Sequence, residues 1–297
     1  MRVLVKIGGA QLERPAARAA LARAIRAAQA AGHELVLVHG GGDQIRRLSD
    51  RLGVVAAYRE GLRITDGPTA EIVLQVLGGE VNRTLVRSLQ EQGVPAVGLT
   101  GADGGTFSVK KHEPDGVDLG FVGEVETVRP ALVEHLLAGG WLPVIATVAP
   151  RTGDADGPFH NVNADMGAGP LTRALGADAL LFLTDTDGVL DAERNTLPEL
   201  TPADCAALER SGVISAGMIP KVRAALAALG ECPAAHVAIV PAAGDDAITA
   251  GLAARRGTRF RLAADGAQRA PAPLPRAAAG RAHETPREAH AGDRSDG

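Results

Sequence analysis

VLVKIGGAQLERPAARAALARAIRAAQAAGHELVLVHGGGDQIRRLSDRL, residues 3–52, alternates short β-branched runs with longer stretches rich in Ala, Leu and Arg. Residues 3–7 and 34–39 have the length and composition of buried strands, and residues 16–31 and 43–52 carry the spacing of helices. Strand, helix, strand, helix in that order predicts parallel strands covered on both faces. The rhythm continues with a helix over residues 68–92, a strand over 96–99, a helix over 130–138 and a strand over 142–146. Later come strands 179–184 and 237–241, with helices near 202–211 and 218–229, and a last strand over 258–262. The expected fold is α/β, a three-layer αβα sandwich around a mainly parallel open sheet. In such a sheet, ligands gather at the carboxyl ends of the strands.

Two stretches break the rhythm. Residues 54–64 and 106–128 alternate around Gly and Asp, as hairpins do, and are expected to lie as lids over the open end of the sheet. Residues 150–160, PRTGDADGPFH, are rich in Pro, Gly and Asp and mark an expected boundary between an amino-terminal lobe, 1–150, and a carboxy-terminal lobe, 161–262. Beyond residue 262 the chain is mostly Ala, Pro, Arg, Gly and acidic residues, with Leu274 its one large aliphatic side chain. Such a segment buries too little to offset chain entropy, and 263–297 is expected to be a disordered tail.

Bulk composition narrows the chemistry. The chain has 297 residues, a formal net charge of −4 and only seven aromatic residues (one Trp, one Tyr, five Phe). No basic stripe or stacking platform suits a nucleic acid, so an anionic ligand needs a local positive pocket. No apolar run is long enough to span a bilayer. The opening residues pass directly into a strand without the apolar core or cleavage site of a signal peptide, which makes a cytoplasmic location the expectation. Cys205 and Cys232 fit neither a disulfide framework nor a zinc site and are expected to be free thiols.

Five segments carry polar groups where such a sheet would use them. Lys6-Ile7-Gly8-Gly9 ends the first strand with a lysine and two glycines that let a ligand approach backbone N–H groups. Taken alone, it reads more readily as a solvated lysine before a glycine turn. His39-Gly40-Gly41-Gly42-Asp43 joins a strand to a helix N-terminus through three glycines, an anion-binding arrangement. Arg63, in Gly61-Leu62-Arg63-Ile64-Thr65-Asp66, could hold a carboxylate bidentately or serve as a surface ion-pair partner, and Asp66 or Thr69 should cap the helix that follows. Asn161-Val162-Asn163-Ala164-Asp165 has period-2 spacing that would turn Asn161, Asn163 and Asp165 to one side of an extended segment, or build a hydrogen-bonded turn. The fifth joins the strand-end segment 184–190 to Gly217-Met218-Ile219-Pro220-Lys221, where Lys221 lies in the first turns of a helix. Neither the G-x-x-x-x-G-K-[ST] nor the G-x-G-x-x-G fingerprint is present.

In this order and spacing, the segments VKIGGA, VHGGG, EGLRITD, GEVNRTLV, VGLTGADGG, LGFVGEV, LPVIA, NVNAD, LTDTDGVL and ISAGMIPKV resemble the amino-acid kinase superfamily, and within it the acetylglutamate kinase family, over residues 3–260. The resemblance implies an acid-binding amino-terminal lobe and an ATP-binding carboxy-terminal lobe. Lys6 and Lys221 would stabilise the transition state, with Asp165 positioning them. Gly8, Gly9, Gly41 and Gly42 would offer backbone amides to phosphoryl group and substrate, and Arg63 and Asn161 would grip an N-acylated amino acid. Asp185, Thr186, Asp187, Gly188, Val189 and Leu190, together with Val213, Ile214 and Ser215, would border the adenine nucleotide. ATP is the implied co-substrate, Mg²⁺ is expected to be held mainly by its phosphates, and no residue is assigned to a metal. The nucleophile would be the side-chain carboxylate of N-acetyl-L-glutamate, already ionised near neutral pH because a free Glu titrates near ~4.3, so no general base is needed.

Three departures from the family pattern qualify the transfer. Met166-Gly167-Ala168-Gly169-Pro170 is rich in helix breakers, and an irregular first turn is expected there. The tail beyond residue 262 has no usable counterpart. The chain also lacks an extension ahead of its first strand, which leads to the expectation of a homodimer insensitive to arginine. Two other readings stand beside this one. A kinase acting on aminoadipate or glutamate held on an acidic carrier protein would favour a basic rim, whereas residues 110–115 are mixed in sign. A noncatalytic sensor of amino acid or nucleotide would have no need of paired lysines with an organising carboxylate.

Overall fold

The computed structural model describes residues 1–215 and 217–262. In chain order the elements are β1 (Arg2–Ile7), α1 (Gly9–Glu13), α2 (Pro15–Ala30), β2 (Glu34–His39), α3 (Gly42–Leu52), β3 (Ala57–Arg59), β4 (Leu62–Ile64), α4 (Gly67–Leu74), α5 (Asn82–Glu91) and β5 (Ala96–Leu99). Next come β6 (Phe107–Lys111), β7 (Val122–Val128), α6 (Ala131–Ala138), β8 (Leu142–Ala146), β9 (Val148–Ala149), β10 (His160–Val162) and α7 (Ala164–Ala174). The described chain ends with β11 (Ala179–Thr184), β12 (Glu199–Leu200), α8 (Pro202–Arg210), α9 (Met218–Glu231), β13 (His236–Pro241), α10 (Ala247–Leu252) and β14 (Thr258–Phe260). The expected tail, 263–297, lies outside the described residues.

Eight strands form the central sheet in the order β12-β14-β13-β11-β1-β2-β8-β5, and every pairing is parallel except β13 with β14. Strands that precede residues 150–160 make one half and strands that follow make the other. The halves join through β1 and β11, paired from Val3 with Ala179 to Ile7 with Leu183.

The alternation within each strand sorts side chains between two cores. Val3, Val5, Ile7, Leu35 and Leu37 face a core completed by α2, α3, α5 and α10. Leu4, Val36, Val38, Leu180 and Phe182 face the other, completed by α6, α7, α8 and α9. By the same count Lys6 falls on the α7 and α9 side and His39 on the α5 side. Helix α2 shows the matching pattern: Pro15 starts it without a lost hydrogen bond, and Leu21, Ala22, Ile25 and Ala28 form its buried stripe.

Both expected hairpins are present. β3 and β4 form an antiparallel hairpin, and β6 and β7 pair antiparallel within a second sheet of order β6-β7-β10-β9. The stretch expected as one helix over 68–92 is instead α4 and α5 joined by a wide π-helical turn, Gln75–Val81. Asp66 caps its start by accepting a hydrogen bond from the Thr69 N–H at 2.9 Å. Both cysteines are free, and burial pushes the Cys205 thiol up to about 12, which keeps it unreactive.

Candidate active site

Three charged side chains meet where β1, α7 and α9 converge. Lys6 is the penultimate residue of β1, at the strand's carboxyl end, and its Nζ is 2.7 Å from Asp165 Oδ1. Asp165 Oδ2 lies 3.6 Å from Lys221 Nζ, on the first turn of α9. Lys6 is 5% exposed, so the solvated-lysine alternative is excluded. Burial lowers the Lys6 pKa, Asp165 opposes the shift and Lys221 adds to it. For Asp165, burial acts to raise the pKa, but Lys6 and then Lys221 outweigh it and hold the carboxyl below its usual range. Asp165 is ionised at neutral pH, and a position in the first turn of a helix favours that charge.

The NVNAD segment reaches this geometry by a different route from the one its spacing suggests. β10 ends at Val162, and the chain turns at once into α7. Asn163 is the cap: its Oδ1 accepts from the N–H groups of Asp165 at 2.9 Å and Met166 at 3.2 Å. The first turn is regular, and Gly167 N–H donates to the Asn163 carbonyl at 2.8 Å. A strong cap thus overrides the glycines, and Pro170 falls deep enough in the helix to leave the first turn intact. Asn161 and Asp165 still face one cavity, but from a strand and a helix rather than from one extended segment.

That cavity, about 250 Å³, is lined by Lys6, Gly9, Gly41, Gly42, Arg63, Asn161 and Asp165 among others. It is below the ~300–1,000 Å³ usual for drug-sized ligands and matches a single small acid. Arg63 is buried on β4, its guanidinium 4.7 Å over the Tyr58 ring. Its Nη2 donates to the Gly42 carbonyl at 3.1 Å, while Nη1 is buried with no partner among the described residues. An unpaired buried guanidinium nitrogen on a side chain that lines a polar cavity is suited to an acceptor such as a carboxylate. Asn161 Nδ2 donates to Thr65 Oγ1 at 3.5 Å, and Thr65 Oγ1 donates to the Arg63 carbonyl at 2.9 Å. Thr65 also ties the hairpin down: Phe121 N–H donates to its carbonyl at 2.6 Å, beside Gly120. At Gly120 φ is +72°, and a Cβ would strike the Thr65 carbonyl, so glycine is required there.

Gly41 is constrained by close approach. A Cβ there would lie 2.8 Å from Leu77 Cδ2 and 3.2 Å from Val81 Cγ2, both on the wide turn between α4 and α5. Gly8 precedes α1, and Gly9 begins it. Two further polar residues in this region, Gln44 and Asn82, are not singled out by the sequence, whereas His39 is, at the head of its glycine segment. Gln44 on α3 is buried and its Nε2 donates to the Gly9 carbonyl at 3.4 Å; His39 and Asn82 are fully buried in contact with each other. His39 was flanked by the glycines that drew notice, but nothing in residue type marked its partner.

The segments expected to border a nucleotide leave the carboxyl end of β11 and precede α9. Asp185 and Asp187 are exposed and Thr186 and Leu190 half-buried. Val189 is in the core, its N–H donating to Thr258 Oγ1 at 2.8 Å, which anchors the loop to β14. At Gly188 φ is +132°, and a Cβ would lie 2.7 Å from Thr258 Oγ1. Ile214 is buried in the same core, between half-buried Val213 and exposed Ser215. Gly8, Lys221 and these nine residues are not in the lining of the 250 Å³ cavity; Lys221 joins it through Asp165.

Residues 1–239 match the profile of the Amino acid kinase family. The chain belongs to that family. An acetylglutamate kinase of Solibacter usitatus is 43% identical over 249 residues, covering 84% of this chain and 94% of the relative. One from Chloroflexus aurantiacus is 44% identical over 241 residues, 81% of this chain and 92% of its own. Among solved structures, smu.665 from Streptococcus mutans UA159 superposes with a TM-score of 0.72 at 26% identity, over 88% of this chain and 99% of that one. The mainly parallel sheet with helices on both faces is the amino acid kinase fold, and the sequence is similar to those of several acetylglutamate kinases.

Proposed function

We propose that the protein transfers the γ-phosphoryl group of ATP to the side-chain carboxylate of N-acetyl-L-glutamate, forming N-acetyl-L-glutamyl 5-phosphate in arginine biosynthesis. The observation that carries this reading is the Lys6–Asp165–Lys221 cluster at a cavity that is also lined by Arg63, one of whose guanidinium nitrogens is unpaired. The acid nucleophile is ionised before it binds, so the chain needs to supply alignment and charge rather than a base. Arg63 and Asn161 hold the acid with its reacting carboxylate toward Lys6. Backbone amides of the Gly8-Gly9 and Gly41-Gly42 segments meet the phosphoryl oxygens, while Lys6 and Lys221 approach from opposite sides of Asp165. Residues 185–190 and 213–215 take the nucleotide.

Among the described residues, no group of three or more His, Cys, Asp or Glu side chains is placed to hold a metal ion. Asp165, the acidic residue in the cavity lining, is engaged by two lysines. This donor set fits Mg²⁺ carried by the nucleotide phosphates, where it would neutralise charge between the β- and γ-phosphoryl groups.

The carrier-linked alternative loses support at the lid. Lys110 is paired with Glu124 at 3.4 Å, and Lys111 with Asp118 at 2.8 Å and Glu113 at 3.0 Å, so these lysines offer no uncompensated basic rim. The protein is further proposed to act in the cytoplasm as a homodimer. No helix among the described residues is long and apolar enough to cross a membrane. β5 ends the central sheet and Trp141, just ahead of its neighbour β8, is 44% exposed, a combination that favours pairing with a second copy.

A hydroxamate assay with ATP and Mg²⁺ against N-acetylglutamate, glutamate and aspartate in parallel tests the activity. Acyl phosphate is expected from N-acetylglutamate. Absence of product from all three acids would replace the enzyme with a sensor, and sizing by light scattering decides the dimer.

A further inference from the structure

His39 ends β2 fully buried, on the sheet face opposite Lys6, and takes no part in the charged cluster. Both ring nitrogens are occupied: Nδ1 lies 2.9 Å from the Gly40 carbonyl, and Nε2 lies 3.0 Å from Asn82 Nδ2. The same Asn82 nitrogen is 2.9 Å from the Val144 carbonyl. A carbonyl only accepts, so the Asn82 amide must turn its nitrogen this way, and His39 must carry its proton on Nδ1 and accept at Nε2. Asn82 Oδ1 is left buried without a partner, and a Cβ at Gly98 would overlap it. An apolar residue in place of Asn82 would avoid that unsatisfied oxygen, so packing alone does not account for an amide here.

The carbonyl that His39 holds belongs to the peptide joining Gly40 and Gly41. In a planar trans peptide the N–H points opposite to the C=O, so this bond turns the Gly41 N–H away from the His39 ring. Gly40, Gly41 and Gly42 line the cavity and have no side chains with which to hold that orientation themselves. We propose that His39 and Asn82 form a positioning pair in which Asn82 fixes the His39 tautomer and the Nδ1–H of His39 sets the Gly40–Gly41 peptide, presenting the Gly41 N–H to the phosphoryl group in transfer. The proposal rests on the kinase reading of the cavity.

Two substitutions separate positioning from mere packing. In His39→Asn the amide nitrogen sits near the place of Nδ1 and can still donate to Gly40; in His39→Gln the amide reaches toward Asn82 and the donor to Gly40 is lost. Activity is expressed per folded molecule, with folding followed by circular dichroism. His39→Asn should keep kcat within about 5-fold of the native protein, and His39→Gln should lose about 100-fold, the scale of one misplaced amide donor, with KM for ATP unchanged in both. Equal kcat in the two variants, or a loss that merely follows their melting temperatures, overturns the pair. Long-range ¹H–¹⁵N correlation of the native imidazole gives a reading independent of turnover and of whether the variants fold: a protonated Nδ1 is expected, and a protonated Nε2 overturns the proposal. A native protein that shows the expected tautomer yet forms no acyl phosphate would sink the kinase reading instead.

Discussion

Lys6 and Lys221 differ in their surroundings although both address Asp165. The Lys6 side chain is 6% exposed and the Lys221 side chain 25% exposed. Replacing either with Ala should lower kcat by about 100- to 1,000-fold while KM for ATP changes little, because the charge matters most as the phosphoryl group leaves the nucleotide. A near-normal kcat in either variant, measured at saturating substrates, would refute the assignment. Arg63→Leu should act differently, raising KM for the acid by about 10- to 100-fold, the worth of a charge-assisted hydrogen bond, with a smaller effect on kcat. His39 supplies a pH signature of its own. Burial takes its pKa from 6.5 down to about 4, so between those values the unfolded chain binds a proton that the folded chain refuses. Stability is therefore complete above pH 6.5 and falls as the pH drops toward 4, by an order-of-magnitude ~3 kcal/mol over the window. His160 and His236, also lowered by burial, act in the same direction. Asp165 is silent there, because its contribution is lost only below the ordinary carboxylate value of 3.8. Urea melts at pH 7.5 and 4.5 should show a smaller difference for His39→Asn than for the native protein; an unchanged difference would mean that His39 is not the buried neutral group described. Lys6, Arg63 and Asp165 stood out only through the family resemblance, because a strand-end lysine, an arginine in a hairpin and an acid after an asparagine each have an ordinary solvated reading of their own. Asn82 did not, since an asparagine within a helical run gives no sign of which core it enters.

At the scale of elements, α7 and the wide turn between α4 and α5 show where reading by spacing succeeds and where it stops. The strand limits at 34–39, 96–99 and 142–146 could be read directly, as runs of apolar residues bounded by polar or glycine residues. The π-helical turn could not, because it changes the number of residues per turn without changing the apolar content. Its effect is to bring Leu77 and Val81 against Gly41 while Asn82 continues inward to His39. In α7 the error ran the other way: glycines and a proline suggested an irregular first turn, and a local cap prevailed over propensity. Asn163→Ala should then cost about 1 kcal/mol of stability in denaturant melts. The same variant should also lower kcat, since one of the two lost hydrogen bonds holds the backbone of Asp165. Loss of stability with kcat intact would separate the cap from the placement of the carboxylate.

Across the molecule, the segment 150–160 expected as a lobe boundary leaves the central sheet whole. β1 belongs to one side of that boundary and β11 to the other, yet they are neighbours at the centre of the sheet. Thermal unfolding is expected to be a single transition, with Trp141 fluorescence from the first half and far-ultraviolet circular dichroism from the whole chain falling together. Two separated transitions would show that the halves are independently stable despite their shared sheet. The alternation of elements was enough to read this architecture in advance, whereas the pairing of β1 with β11 depends on contacts far apart in the chain that no local spacing encodes. The charges have a whole-molecule consequence as well. Lys6, Lys221 and Asp165 together carry one net positive charge, whereas the chain carries −4. Two lysines without the carboxylate would grip an acyl phosphate or a spent nucleotide as firmly as the reacting group. On the proposed kinase reading, Asp165 between them would weaken that hold once the transfer is over, and the negative excess of the whole chain would favour the outward escape of an anion. Product departure should accordingly slow as salt screens that field.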